Sequence, residues 1–105
     1  MDKNENLDIA KKFKKALLNG LSLKKLILFG SRARGDFGKD SDFDFIVVSD
    51  EFDEGKRLGR MGKVYKYWNV DYSVDFVCLT SGEFERVREN RQTVIGLAVE
   101  EGVEI

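Results

Sequence analysis

Apolar residues at Leu7, Ala10, Phe13, Ala16 and Leu17 recur every three or four positions, and Gly20 ends the run. That spacing predicts an amphipathic helix over roughly residues 6–19. Lys11, Lys12, Lys14 and Lys15 fall mostly on its outer face, which a solvated surface accounts for. The period then changes. KLILF at 25–29 is a short unbroken apolar run stopped by Gly30, and it predicts a buried strand. Polar residues with Gly35 and Gly38 over 31–40 predict a turn or a short helical piece. Phe43 to Val48 is rich in aromatic and β-branched residues and predicts a second strand. Leu58, Met61, Val64, Tyr65 and Trp68 return to helical spacing, for a helix over about 54–68 whose stripe belongs to the core. YSVDFVCL at 72–79 predicts a third strand, and Thr80 with Glu83 forms a capping box for a helix over about 81–90. TVIGLAVEE at 93–101 predicts a last short helix ended by Gly102, after which residues 103–105 can add a small strand. Three strands with interspersed helices predict one α/β (α+β) domain over residues 1–105, a small mixed sheet of three or more strands flanked by helices.

The composition narrows what such a domain does. At 105 residues the chain suits one domain with a modest core. With 42% hydrophobic and 35% charged residues, disorder is not expected. The net charge of -1 supplies no strong field for nucleic acid or membrane, so direct nucleic-acid binding is not expected. No apolar run approaches the ~18 residues of a membrane helix, and the charged N-terminus lacks a signal-peptide core. The single cysteine, Cys78, excludes an internal disulfide and suits a reducing compartment, so a cytoplasmic location is expected. It lies in an apolar run and reads as a core residue. With one Cys and no His, a structural zinc site is not expected, and proton transfer falls to a carboxylate, Lys, Tyr or water.

Candidate chemistry sits where acids interrupt apolar strands. Side chains alternate along a strand, so Asp42, Asp44, Ile46 and Val48 share one face, while Phe43, Phe45 and Val47 share the other. Two carboxylates so placed lie about 7 Å apart at Cα. They repel and raise each other's pKa unless a cation lies between them. Asp75 is a second anomaly, set between Val74 and Phe76, and an isolated buried aspartate is costly. If the third strand lies beside the second, Asp75 joins Asp42 and Asp44 in a hard oxygen site suited to Mg²⁺ or Mn²⁺. Asp71 is the rival third acid, but it is nearer the strand start and more easily solvated. Upstream, Gly30 and Ser31 follow the first strand directly. A glycine there permits close backbone approach to a ligand, and such turns can form anion-binding nests. Ser31 adds a hydroxyl, and Arg32 and Arg34 add charge. Phosphate donors on one side and metal ligands on the other are what a metal–nucleoside-triphosphate site requires.

Gly30-Ser31, ten residues, Asp42-Phe43-Asp44 and then Val74-Asp75-Phe76 together resemble the minimal nucleotidyltransferases of the DNA polymerase β-like superfamily. The likeness spans about residues 25–102 and includes the Ser-x-Ala-Arg-Gly continuation. It implies the nucleotidyltransferase fold, with Asp42, Asp44 and Asp75 as catalytic metal ligands for two Mg²⁺ ions (Mn²⁺ as an alternative). It also implies that Gly30 and Ser31 hold the triphosphate of ATP, with Arg32 or Arg34 balancing the leaving pyrophosphate. The implied reaction is transfer of AMP to a hydroxyl acceptor. Small members of this family are antitoxins paired with HEPN-domain toxins, and some adenylylate a toxin tyrosine; a HEPN toxin is therefore the partner the resemblance implies. Neutralisation by binding alone and adenylylation of a small hydroxylated molecule are the competing readings. A homo-oligomer stays open, since a dimer could complete an acceptor pocket.

Overall fold

The computed structural model describes residues 2–52 and 57–105, the side chain of Arg57 aside. The first strand, β1 (Leu23–Phe29), follows helix α1 (Lys3–Leu18) and runs into a one-turn helix, α2 (Ser31–Arg34). Then come β2 (Phe43–Ser49), α3 (Arg57–Tyr65), β3 (Val74–Leu79), α4 (Ser81–Val87), α5 (Val94–Glu101) and the two-residue β4 (Val103–Glu104). The sheet order is β3-β2-β1-β4. β1 pairs antiparallel with β2 and β4, and β2 pairs parallel with β3, so the sheet is mixed, as expected.

Alternation on β2 divides two cores. Phe43, Phe45 and Val47 point into the larger one with Leu26, Leu28 and Phe76, closed by Ala10, Phe13 and Leu17 of α1 and by Val64 and Trp68. The aromatic rings interlock: Phe13 lies 5.1 Å from Phe45 and meets Trp68 edge-on at 5.1 Å. Ile46 and Val48 point the other way, with Ile27, and are covered by Phe84 of α4 and Ala98 of α5. Cys78 is buried in the larger core. Both faces of β2 are therefore covered along Phe45–Ser49, and the strand is open to solvent at its acidic start. No helix among the described residues is long and apolar enough to cross a membrane.

Element ends differ from the sequence expectation for identifiable reasons. α1 begins at Lys3 because Asp2 caps it, accepting the Glu5 N–H at 2.9 Å. β1 begins at Leu23, with a bulge between Leu23 and Lys25 that a run of apolar residues does not reveal. The expected start of the third helix, 54–56, lies outside the described residues, and its end comes at Tyr65. β3 begins at Val74 because the Tyr72 carbonyl is taken by the Trp68 indole N–H at 2.8 Å. The capping box of Thr80 and Glu83 forms as expected, but α4 stops at Val87.

Candidate active site

Gly30 ends β1 with φ +73° and ψ −161°, a backbone that a side chain disfavours. The neighbouring strand explains why space is also short there. Phe29 is paired with Asp44, and a Cβ on Gly30 would run into Asp44 Oδ2. On its other side Asp44 is paired in parallel register with Asp75. The Gly-Ser turn and the two acids thus stand in a row across adjacent strands, Gly30–Asp44–Asp75. Asp42 stands one residue before the start of β2 and is exposed, as is Asp75, while Asp44 is half-buried. Burial raises the Asp44 carboxyl from its ordinary 3.8 to about 6, reinforced by the charges of Asp75 and then Asp42, and opposed by Arg34. Strand register thus brings Asp44 and Asp75 side by side, and Asp42, just ahead of β2, is near enough for its charge to act on Asp44. Asp71 is exposed and precedes β3 by three positions, outside this row.

The two arginines of the turn divide. Arg34 is exposed at the rim, 3.3 Å from Asp36 and 3.9 Å from Glu101, and its charge acts on Asp44. Arg32, expected from the sequence to balance phosphate charge, is instead buried to 1% exposure. Its Nε and Nη2 donate to the Ser41 carbonyl at 3.1 and 2.8 Å, and Nη1 donates to Asn6 Oδ1 at 3.2 Å. Its guanidinium lies 4.6 to 4.9 Å from the ring centroids of Phe37, Phe43 and Tyr72. The guanidinium is thus engaged by the Ser41 carbonyl, Asn6 and three aromatic rings, rather than standing exposed on the turn as Arg34 does. Asn6, buried on α1, returns a bond from Nδ2 to the Arg32 carbonyl at 3.3 Å. Sequence reading passed over Asn6, although it occupies the Asn6–Ala10–Phe13–Leu17 stripe, and a polar residue on an apolar stripe is the available signal.

The family profile described as "Nucleotidyltransferase domain" matches residues 10–99. The chain belongs to this nucleotidyltransferase family. It is 33% identical over 72 residues to a candidate protein adenylyltransferase of Methanocaldococcus jannaschii, covering 67% of this chain and 73% of that one. A second protein of the same name class in that organism is 56% identical over 32 residues, 30% of this chain and 32% of that one. Among solved structures, a candidate nucleotidyltransferase from Sulfolobus solfataricus superposes with a TM-score of 0.68 at 27% identity, covering 97% of this chain and 80% of that one.

As a nucleotidyltransferase, the protein carries a donor set that suits a hard divalent cation. It consists of carboxylate oxygens, and the half-buried Asp44 is destabilised as an anion by burial and then by its acidic neighbours. Among the described residues, no three such side chains already stand at metal-ligand spacing. That is the ordinary situation for Mg²⁺, which is held by one or two carboxylates, waters and substrate phosphates rather than by an all-protein cage. The residues therefore fit Mg²⁺ by donor type and charge.

Proposed function

We propose that the chain is a Mg²⁺-dependent adenylyltransferase that moves AMP from ATP to a hydroxyl of a partner protein, a tyrosine of a HEPN-domain toxin, and so acts as an antitoxin. The observation that carries this reading is the row Gly30–Asp44–Asp75, set by strand register at the one solvated end of β2. The names of the relatives support a protein acceptor.

Gly30 and Ser31 receive the triphosphate, since a glycine has no side chain to hold a ligand off the backbone and Ser31 offers a hydroxyl donor. Asp42 and Asp44 would hold the metal together with Asp75. Mg²⁺, when bound, supplies positive charge for the attacking and leaving oxygens of an in-line displacement. Asp75, exposed at the edge strand, accepts the proton of the acceptor hydroxyl. The acceptor oxygen bonds to the α-phosphorus as the α–β phosphoanhydride bond breaks, and pyrophosphate leaves. Arg34 offsets charge at the rim.

The test is incubation of the protein with ATP labelled at the α-phosphate, Mg²⁺ and a co-expressed HEPN partner. Label should reach a partner tyrosine, and Asp42→Ala, Asp44→Ala and Asp75→Ala should each abolish transfer while the far-ultraviolet spectrum is kept. Transfer surviving in all three variants would refute the assignment. Protection of cells by Asp42→Asn would instead show that binding suffices.

A further inference from the structure

We infer that Arg32 is the positioning residue of this site: it fixes the Gly30–Ser31 turn against the segment that carries Asp42 and Asp44, and Asn6 in turn fixes Arg32. The inference rests on the metal–triphosphate reading above, because it concerns the distance between the two halves of that site.

The contacts of Arg32 reach the stretch that leads into Asp42 and Asp44, the segment ahead of Asp75, and α1. The residue belongs to α2, immediately after the Gly-Ser turn. Nε and Nη2 form a fork on the carbonyl of Ser41, the residue directly before Asp42, and Nη2 also reaches the Lys39 carbonyl at 3.4 Å. The guanidinium plane packs on Phe43, which lies between the two acids and points to the opposite face of the sheet. It also packs on Tyr72, three residues ahead of Asp75. One planar group thus touches the lead-in to every acid and is covalently part of the phosphate turn.

Burying a guanidinium is expensive, and a large apolar residue would fill the same space at less cost. What an apolar residue cannot do is fix two chain segments by directional bonds from a rigid fork. Lysine keeps the charge but lacks the fork. Asn6 closes the arrangement reciprocally, giving an acceptor to Nη1 and a donor to the Arg32 carbonyl, so α1 braces the turn from the side of the larger core. Sites of this kind need their parts held within about 0.5 Å. A support removed from outside the site should therefore leave each half able to bind and spoil their cooperation.

The experiment measures binding of a fluorescent N-methylanthraniloyl ATP to the full chain, once with Mn²⁺ and once with EDTA. The ratio of the two affinities reports how well the two halves act together. Arg32→Lys and Asn6→Ala should each cut the wild-type ratio by about tenfold, with affinity in EDTA changed less than about threefold and the circular dichroism spectrum retained. A purely structural role would lower the folded fraction but leave the ratio per folded molecule unchanged, and that result overturns the inference. A direct phosphate contact by Arg32 would weaken binding equally with and without metal, and that too overturns it. Should Arg32→Lys fail to fold, Asn6→Ala decides alone by the same ratio. Asp44→Asn separates the two readings: a collapsed ratio there with wild-type ratios in both other variants defeats the positioning role only. A wild-type ratio in Asp44→Asn defeats the metal reading itself.

Discussion

Asp44→Asn is expected to stabilise the metal-free protein at pH 8 and to have little effect near pH 4. The carboxyl is raised from 3.8 to about 6, first by burial and then by Asp75 and Asp42. Below 3.8 it is protonated in both the folded and the unfolded chain, and no penalty exists. Above about 6 it is ionised in both, and the folded state bears the whole penalty. Between those values the penalty grows with pH. Taken at face value the displacement is worth about 3 kcal/mol. Asp44 is only half-buried, so solvent screening reduces this to about 1 kcal/mol. For a domain this small, that corresponds to a Tm higher by about 4–8 °C for the variant. The assay is urea unfolding of both proteins in EDTA at pH 4, 6 and 8, with the difference in midpoint converted through a common slope. Adding Mg²⁺ at pH 8 should close the gap, because a cation stabilises the wild type by mass action and asparagine offers it a poorer ligand. A variant no more stable than wild type at pH 8, or a gap that does not change with pH, would refute the reasoning.

Gly30→Ala meets both a positive φ and the Asp44 carboxylate, so it should cost about 1–3 kcal/mol and displace Asp44. Thermal unfolding and α-labelled ATP transfer check the two effects together. Glu83→Gln weakens the pair with the buried Arg60, 2.7 Å away, and should cost about 2 kcal/mol at pH 7 by urea unfolding. The Arg60 bonds and the Thr80 N–H hold Glu83 below its ordinary 4.5, so its contribution is complete above that value and the gap to wild type should shrink as the pH falls below it. Arg34→Ala removes the rim charge that opposes the Asp44 shift, so ATP affinity should fall several-fold. Its Tm should hold, because its partners Asp36 and Glu101 are exposed.

How far the site can be read from the chain depends on the range of the interaction that decides each residue. Period-two alternation over Phe43–Val48 sets Asp44 on the face opposite Phe43 and Phe45, because a covered strand admits only one register of its apolar residues. Asp75 follows by the same logic on β3. What alternation does not decide is the pairing itself: that β2 and β3 run parallel with Asp44 against Asp75 is a long-range fact. Strand ends are legible only where an apolar run stops for a local reason. The start of β3 has a nearby cause that the apolar pattern does not show, since the Trp68 side chain captures the carbonyl of Tyr72.

The arginines are the harder case. Arg32 and Arg34 flank Ala33 symmetrically, and in charge pattern they are interchangeable. On a single helical turn, positions two apart point in nearly opposite directions, so one must face inward. Nothing within the turn selects which. The choice is made by acceptors 9 and 26 residues away, the Ser41 carbonyl and the Asn6 amide. The first is a backbone group and leaves no trace in side-chain identity. The second does leave one: an amide on the Ala10–Phe13–Leu17 stripe is buried, and a buried amide demands a polar partner. A second polar residue must therefore be drawn into that core from elsewhere. The readable sign of the buried arginine thus lies on α1, in the one polar position of an apolar stripe, and not in the turn that carries it.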